Sequence, residues 1–172
     1  MKRSLIFICA LLLFSGCALL PRKAAEITWP EKIDYMEAMC ELDLAWKEMN
    51  YAGSMSLTLE YPEKLLFQVY GPFGDTIVYL RKDGASFLLM AGGERFTDEA
   101  AFETRFDMSL RDFMDDIALR GPGGKGVVRG TSVKRDKYEV LYNLGGRENN
   151  ICWKGNDGSI CLKFLEARFS KE

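Results

Sequence analysis

The chain has 172 residues, 48% of them hydrophobic and 28% charged, a balance that fits one globular domain and excludes a disordered tail or a multi-span membrane protein. Its 23 Lys plus Arg stand against 25 Asp plus Glu, a formal charge of −2, so no chain-wide attraction draws it to nucleic acid. It contains no histidine, which removes Ser-His-Asp and Cys-His catalysis and His-ligated zinc and leaves open Lys-based or carboxylate-only mechanisms; the residues nominate no catalytic group, no metal site and no cofactor.

Lys2 and Arg3 precede an apolar run from Leu5 to Phe14, and Ser15 and Gly16 lead to Cys17, the order of a secretory signal. The segment Phe14-Ser15-Gly16-Cys17 resembles the lipobox of bacterial lipoproteins, with Phe where Leu is commoner. The resemblance implies cleavage before Cys17, lipidation of that residue and stable anchorage through more than one acyl chain. Ala18, in place of an Asp that would signal inner-membrane retention, implies the outer membrane, with the domain facing the periplasm. The alternative is an uncleaved anchor helix, because the apolar stretch Leu5 to Leu20 approaches the roughly 17–25 residues that span a bilayer. Residues 1–16 are therefore expected to be a lipoprotein signal peptide, 17–29 a lipidated tether and 30–172 a single domain. Cys9 leaves with the signal and Cys17 carries lipid, so Cys40, Cys152 and Cys161 remain as thiols in a compartment that permits disulfides.

In the mature chain, Pro30 stands at a helix start and no Gly or Pro follows before Met49. Ile33, Met36, Cys40 and Leu44 recur at helical spacing, which predicts an amphipathic helix serving as lid or packing element. From Tyr51 the period is two. Met55, Leu57 and Leu59 alternate with Ser54, Ser56, Thr58 and Glu60 in a half-buried strand, and Tyr61-Pro62-Glu63 turns into a second strand, Lys64 to Tyr70. Gly71-Pro72-Phe73-Gly74 breaks that strand, and a hairpin about Asp83-Gly84 and a short strand at Arg95 to Thr97 follow.

Asp98 can cap a short helix through about Phe106, and Ser109 with Asp112 resembles a capping box before a second helix ended by Gly121. Leu110, Phe113, Met114, Ile117 and Ala118 give that helix one apolar face, with Asp112, Asp115 and Asp116 expected on its solvated side. Strands are expected again at 127–129, 132–135, 138–144, 148–153 and 159–167. Lys125, Arg129, Lys134, Arg135 and Lys137 read as scattered surface charge. Gly121 to Gly126 spells G-x-G-x-x-G, but after a helix and before a strand, the reverse of a dinucleotide site.

If Asn156-Asp157 is a two-residue hairpin loop, Cys152 faces Cys161 directly, Trp153 faces Ile160 and Ile151 faces Leu162. That register permits a Cys152–Cys161 disulfide, and a slipped turn would leave two reduced surface thiols instead.

The run Lys64-Leu-Leu-Phe-Gln-Val-Tyr-Gly-Pro-Phe-Gly74, a further strand pair and two helices together resemble the LolB-like outer-membrane lipoprotein-localisation family over roughly Ala52 to Pro122. Its Gly-Pro-Phe-Gly step is similar to that family's Pro-aliphatic-Gly turn. The resemblance implies an α+β fold, a strongly curved antiparallel sheet forming an incomplete β-barrel with helices covering the concave side. It also implies an apolar cavity for acyl chains of lipoproteins or lipids, a membrane contact through the lipid anchor and a periplasmic LolA-like carrier as partner. Two features depart from the family: the carboxy-terminal half is shorter, and only one hairpin lies between Gly53 and Gly71. The family has there an extra strand and a protruding loop whose exposed aliphatic residue enters the membrane; Leu65 and Leu66 are the candidates for a reduced membrane-touching tip.

Inward-facing candidates for the cavity are Met55, Leu57, Leu59, Phe67, Val69, Ile77, Tyr79, Phe87, Leu89, Ile151, Trp153, Ile160, Leu162 and Phe164. Periodicity does not distinguish a cavity from a filled core. The expected function is accordingly a non-catalytic acyl-chain receptor in lipoprotein localisation, or, in the alternative, an assembly lipoprotein using the same fold to bind protein in an envelope complex.

Overall fold

A computed structural model describes residues 26–122, 130–146 and 148–171. These residues form β1 (Tyr35–Trp46), β2 (Met49–Glu60), β3 (Lys64–Tyr70), β4 (Thr76–Asp83), β5 (Ser86–Ala91), β6 (Glu94–Phe96), α1 (Ala100–Phe106), α2 (Leu110–Ile117), β7 (Ser132–Lys134), β8 (Tyr138–Asn143), β9 (Asn150–Gly155) and β10 (Gly158–Arg168). All the strands join one open antiparallel sheet in the order β6-β5-β4-β3-β2-β1-β10-β9-β8-β7. Two meanders thus meet where β1 pairs with β10, and the outermost strands among the described residues are three residues long, a short template for further pairing.

This corrects the expected α+β architecture. Among the described residues the protein is mostly β, and the two helices there span seven and eight residues, not the helical cover of a curved half-barrel. The largest departure lies between Pro30 and Met49, where the expected helix is replaced by β1, a turn at Lys47-Glu48 with Lys47 at φ 52°, and the start of β2. The physical reason is visible in β1 itself. Met36, Ala38, Cys40, Leu42, Leu44 and Trp46 also recur with period two, so a strand places them all on one face, whereas a helix would spread them around its circumference.

Cross-strand partners carry that face across the whole sheet. Cys40 lies between Met55 and Phe164, Leu57 opposite Phe67, Phe67 opposite Leu80, and Leu80 opposite Leu89; on the other side Leu162 meets Ile151 and Ile160 meets Trp153, which meets Val140. The core is this continuous face together with the apolar side of the helices. Room for the large Trp46 ring comes from Gly155, where an added Cβ would stand 2.6 Å from the indole. Ile27 and Trp29 are buried as well, with the Trp29 ring 4.9 Å from that of Phe164, so the folded domain begins inside the segment 17–29 expected to be tether.

The reverse face carries a Cys152–Cys161 disulfide with Cα atoms 4.1 Å apart, in the register set by the Asn156-Asp157 turn. Cys40 is the free cysteine among the described residues, and burial alone pushes its thiol up to about 12. The strand expected at 127–129, with Lys125, Arg129 and the lipobox around Cys17, lies outside the described residues.

Candidate functional site

Helix α2 begins where Ser109 Oγ accepts the Asp112 amide at 3.0 Å, and it lays Phe113 against the sheet. The Phe113 ring stands 4.9 Å from Trp153 and 6.4 Å from Phe67, while Phe102 of α1 packs on it from the other side at 5.5 Å. These rings fill the space above β9 and β3 but do not reach all the strands between them. The gap is a cavity of about 80 Å³ between the central strands and α1. Leu42, Leu44, Met49, Val78, Phe106 and Phe113 line it, none of them among the residues expected from the sequence.

Of the expected cavity residues, Met55, Phe67, Val69, Leu89, Ile160 and Leu162 do line it. Leu57, Leu59, Phe87, Ile151, Trp153 and Phe164 are buried on the same face but pack elsewhere in the core. Of the two residues expected inward on β4, Ile77 packs half-buried against the core without lining the cavity, and Tyr79 faces the other way. The register slips between Val69 and Tyr70, which turns Val78 and Leu80 inward, leaves Ile77 at the irregularity and sends Tyr79 to the reverse face opposite Gln68 and Met90. The expected tip at Leu65 and Leu66 is also corrected: Leu65 is fully buried opposite Leu59, and Leu66 is half-buried on the reverse face opposite Thr58 and Arg81. The exposed apolar tip is instead Phe73, 96% exposed in the turn between β3 and β4, where Gly74 donates to the Gly71 carbonyl at 3.0 Å.

Arg105 of α1 is the one charged residue that touches the cavity, and it does so through its carbons, because the lining is wholly apolar. Its guanidinium lies 4.6 Å from the centre of the Phe96 ring and bonds Glu94 at 2.7 Å, so it joins α1 to edge strand β6. The helix has little else to hold it. Phe102 is its one fully buried residue, Phe106 packs on it and on the core half-buried at 4.8 Å between ring centres, and the other ties are partly exposed: Lys47 to Asp107 at 2.6 Å and to the Thr104 carbonyl at 3.1 Å, and Lys82 to Glu99.

Helix α2 is held differently. Asp116, expected on the solvated side, is fully buried, because the sheet beneath it presents donors at that point. Trp153 Nε1 donates to Oδ2 at 3.0 Å, the Tyr138 and Tyr142 hydroxyls lie at 3.3 and 3.4 Å, and Arg135 Nε donates to Oδ1 at 3.1 Å. Burial pushes the Asp116 carboxyl above its ordinary range, against the pull of the Arg135 guanidinium. Arg135 is therefore the cation of a buried pair and not scattered surface charge. Asp112 and Asp115 stay near the surface, pairing with Arg135 at 3.5 Å and accepting from Tyr61 at 2.8 Å.

A larger recess of about 620 Å³ opens beside Trp46, but Lys134, Asp136, Lys137, Glu139, Lys154 and Asp157 line it, so apolar cargo gains nothing there. Among the described residues no cluster of three or more Cys, Asp or Glu side chains could hold a metal ion, and no helix is long and apolar enough to cross a membrane. No protein-family model matches the chain, and no curated protein matches it.

Proposed function

We propose that the protein is an outer-membrane lipoprotein, anchored through Cys17 and facing the periplasm, that receives an acyl chain from a LolA-like carrier between its sheet and α1. The observation that carries this reading is the apolar cavity under α1, a weakly held seven-residue helix. Each methylene buried there is worth about 0.8 kcal/mol, so chain transfer can proceed without catalysis, and a bilayer that buries the entire chain is the final acceptor.

The cavity amounts to two or three times the ~30 Å³ share of one liquid water. It admits the end of a chain, and α1 with Phe102 and Phe106 must lift for the rest to enter. Phe73 supports the membrane side of the reading: a fully exposed aromatic on a turn is suited to enter a bilayer surface, the part the resemblance assigns to an exposed aliphatic residue.

The test is binding of a fluorescent fatty-acid probe to purified residues 18–172 and to Val78→Phe, which fills the cavity from a half-buried wall position. Binding by the parent and its loss in a Val78→Phe protein with unchanged circular dichroism is the expected result. Failure of the parent to bind would favour the assembly-module reading, which the small size of the closed cavity supports.

A further inference from the structure

We infer that the reverse face of the sheet across β3–β6 docks on anionic phospholipid, with Arg81 and Arg95 meeting phosphates and Leu66, Tyr79, Leu88 and Met90 entering the head-group layer. The inference goes beyond acyl binding and rests on the membrane-anchored part of the reading above.

Strand pairing sets these side chains in two rows on one face. One row runs Gln68, Tyr79, Met90, Arg95 and the other Leu66, Arg81, Leu88, each residue directly opposite the next. Ser56 and Thr58 of β2 continue the rows inward, and both are uncharged. Neither row holds a carboxylate across β2–β6. Asp83, at the end of β4, reaches Arg81 at 3.1 Å, an exposed pair of little net stability that a phosphate can displace. Arg95 is exposed and joins no ion pair among the described residues. Met90, 46% exposed, stands between it and Tyr79.

The other half of the same face differs in kind. On β1 and β10, Glu41 pairs with Lys163 at 2.7 Å and Glu37 with Arg168, so charge there is matched within the fold. Across β3–β6 the positive charge is in excess and lies among apolar and tyrosine side chains. That mixture suits a bilayer interface, where amphipathic rings sit at head-group level, long cationic side chains reach phosphate, and guanidinium binds it through two donors. Lipid is favoured over a protein partner because anchorage at Cys17 holds a bilayer at high effective concentration beside the domain. Phe73 extends the surface, since its turn joins β3 to β4, two of the strands that form it.

The experiment is flotation of unlipidated residues 18–172 with vesicles of phosphatidylcholine alone or mixed with phosphatidylglycerol. It compares the parent, Arg81→Gln with Arg95→Gln, and a charge-matched control, Lys134→Gln with Lys137→Gln, exposed lysines at the other end of the sheet. Each pair removes two positive charges, so position alone differs, and unchanged circular dichroism confirms the fold of each. The expected result is flotation of the parent with phosphatidylglycerol vesicles, a fall of about tenfold or more in the arginine pair, the effect of two cations near an anionic surface, and little change in the lysine pair. In Met90→Trp, brominated phospholipid should quench the new indole, because Trp29, Trp46 and Trp153 are buried. Equal losses in the two pairs would overturn the inference, since net charge would then suffice. Flotation independent of phosphatidylglycerol would overturn the anionic assignment, and an unquenched Met90→Trp protein that floats would overturn the face. No flotation of the parent with either vesicle would overturn the inference and leave the face to a protein partner. Acylation of Cys17, read as added mass on the full chain expressed in bacteria, tests the anchored reading separately, so its failure and the failure of this inference are told apart.

Discussion

The Trp153 indole nitrogen on β9 donates to the Asp116 carboxylate on α2 at 3.0 Å, joining residues 37 positions apart and fixing the height at which the helix rides above the sheet. Phe113, one turn earlier on α2, stacks on the same indole at 4.9 Å, so a polar and an aromatic contact act on one ring. Arg135, Tyr138 and Tyr142 complete the carboxylate's shell, and the cavity edge at Phe113 depends on this anchor.

Replacing Asp116 by Ala should therefore cost about 3–5 kcal/mol, because it strands a buried guanidinium and an indole N–H. Asp116→Asn keeps one acceptor oxygen and should cost less. Urea unfolding followed by tryptophan fluorescence measures both, and an Ala variant within 1 kcal/mol of the parent by that assay would rule out the anchoring role.

The pH dependence of stability has two opposed parts. Asp116 is raised by burial, so its contribution is full below the unfolded carboxyl value and is lost as pH rises through the folded one. Glu37, Glu60 and Asp107 are lowered, by hydrogen bonds from Tyr35, Lys171 and Lys47 respectively, so their contributions are present above the unfolded values and are lost as pH falls through the folded ones. Carbon-detected NMR titration should give Asp116 a midpoint above 3.8 and Asp107 one below it. In Asp116→Asn, the rise in stability on acidifying toward that midpoint should disappear; an unchanged profile would assign the effect to another group.

Phe73→Ser should leave stability within about 0.5 kcal/mol of the parent, since the ring touches little in the fold. Vesicle flotation of unlipidated residues 18–172 should nevertheless fall by about tenfold or more, the equivalent of burying a Phe side chain at about 1.5–3 kcal/mol. Equal flotation of parent and variant would take Phe73 out of the membrane contact.

Native, non-reduced residues 18–172 should show no rapidly reacting thiol, and one per chain, Cys40, after unfolding. Cys152→Ser with Cys161→Ser should lower stability by roughly 2–3 kcal/mol, the loop-entropy value for a closed loop of this length. Counting thiols with Ellman's reagent in the native and the unfolded protein checks the first half. Three reactive thiols after unfolding would mean that the bond does not form.

Which features were legible in the sequence follows from the range of the interaction that sets each of them. The alternation from Met55 to Leu59, the Ser109 cap and the Cys152–Cys161 register depend on neighbours or on one tight turn, and the chain states those directly. The stretch from Met36 to Trp46 satisfies both a helical and a strand period. Only pairing with β2 and β10, strands that flank it from opposite ends of the chain, decides for the strand. Parity along β4 hangs on one slipped register at Tyr70, invisible to a pattern that is apolar on both faces. Asp116 looks solvated on a helical wheel because nothing local reveals that Trp153, Tyr138, Tyr142 and Arg135 converge on it. The sequence by itself therefore determined the strand-rich meanders, the capped second helix and the disulfide partners. The tertiary structure alone decided the mostly-β architecture, the apolar cavity under α1 and the exposure of Phe73, since each depends on which distant surfaces meet and which are left uncovered.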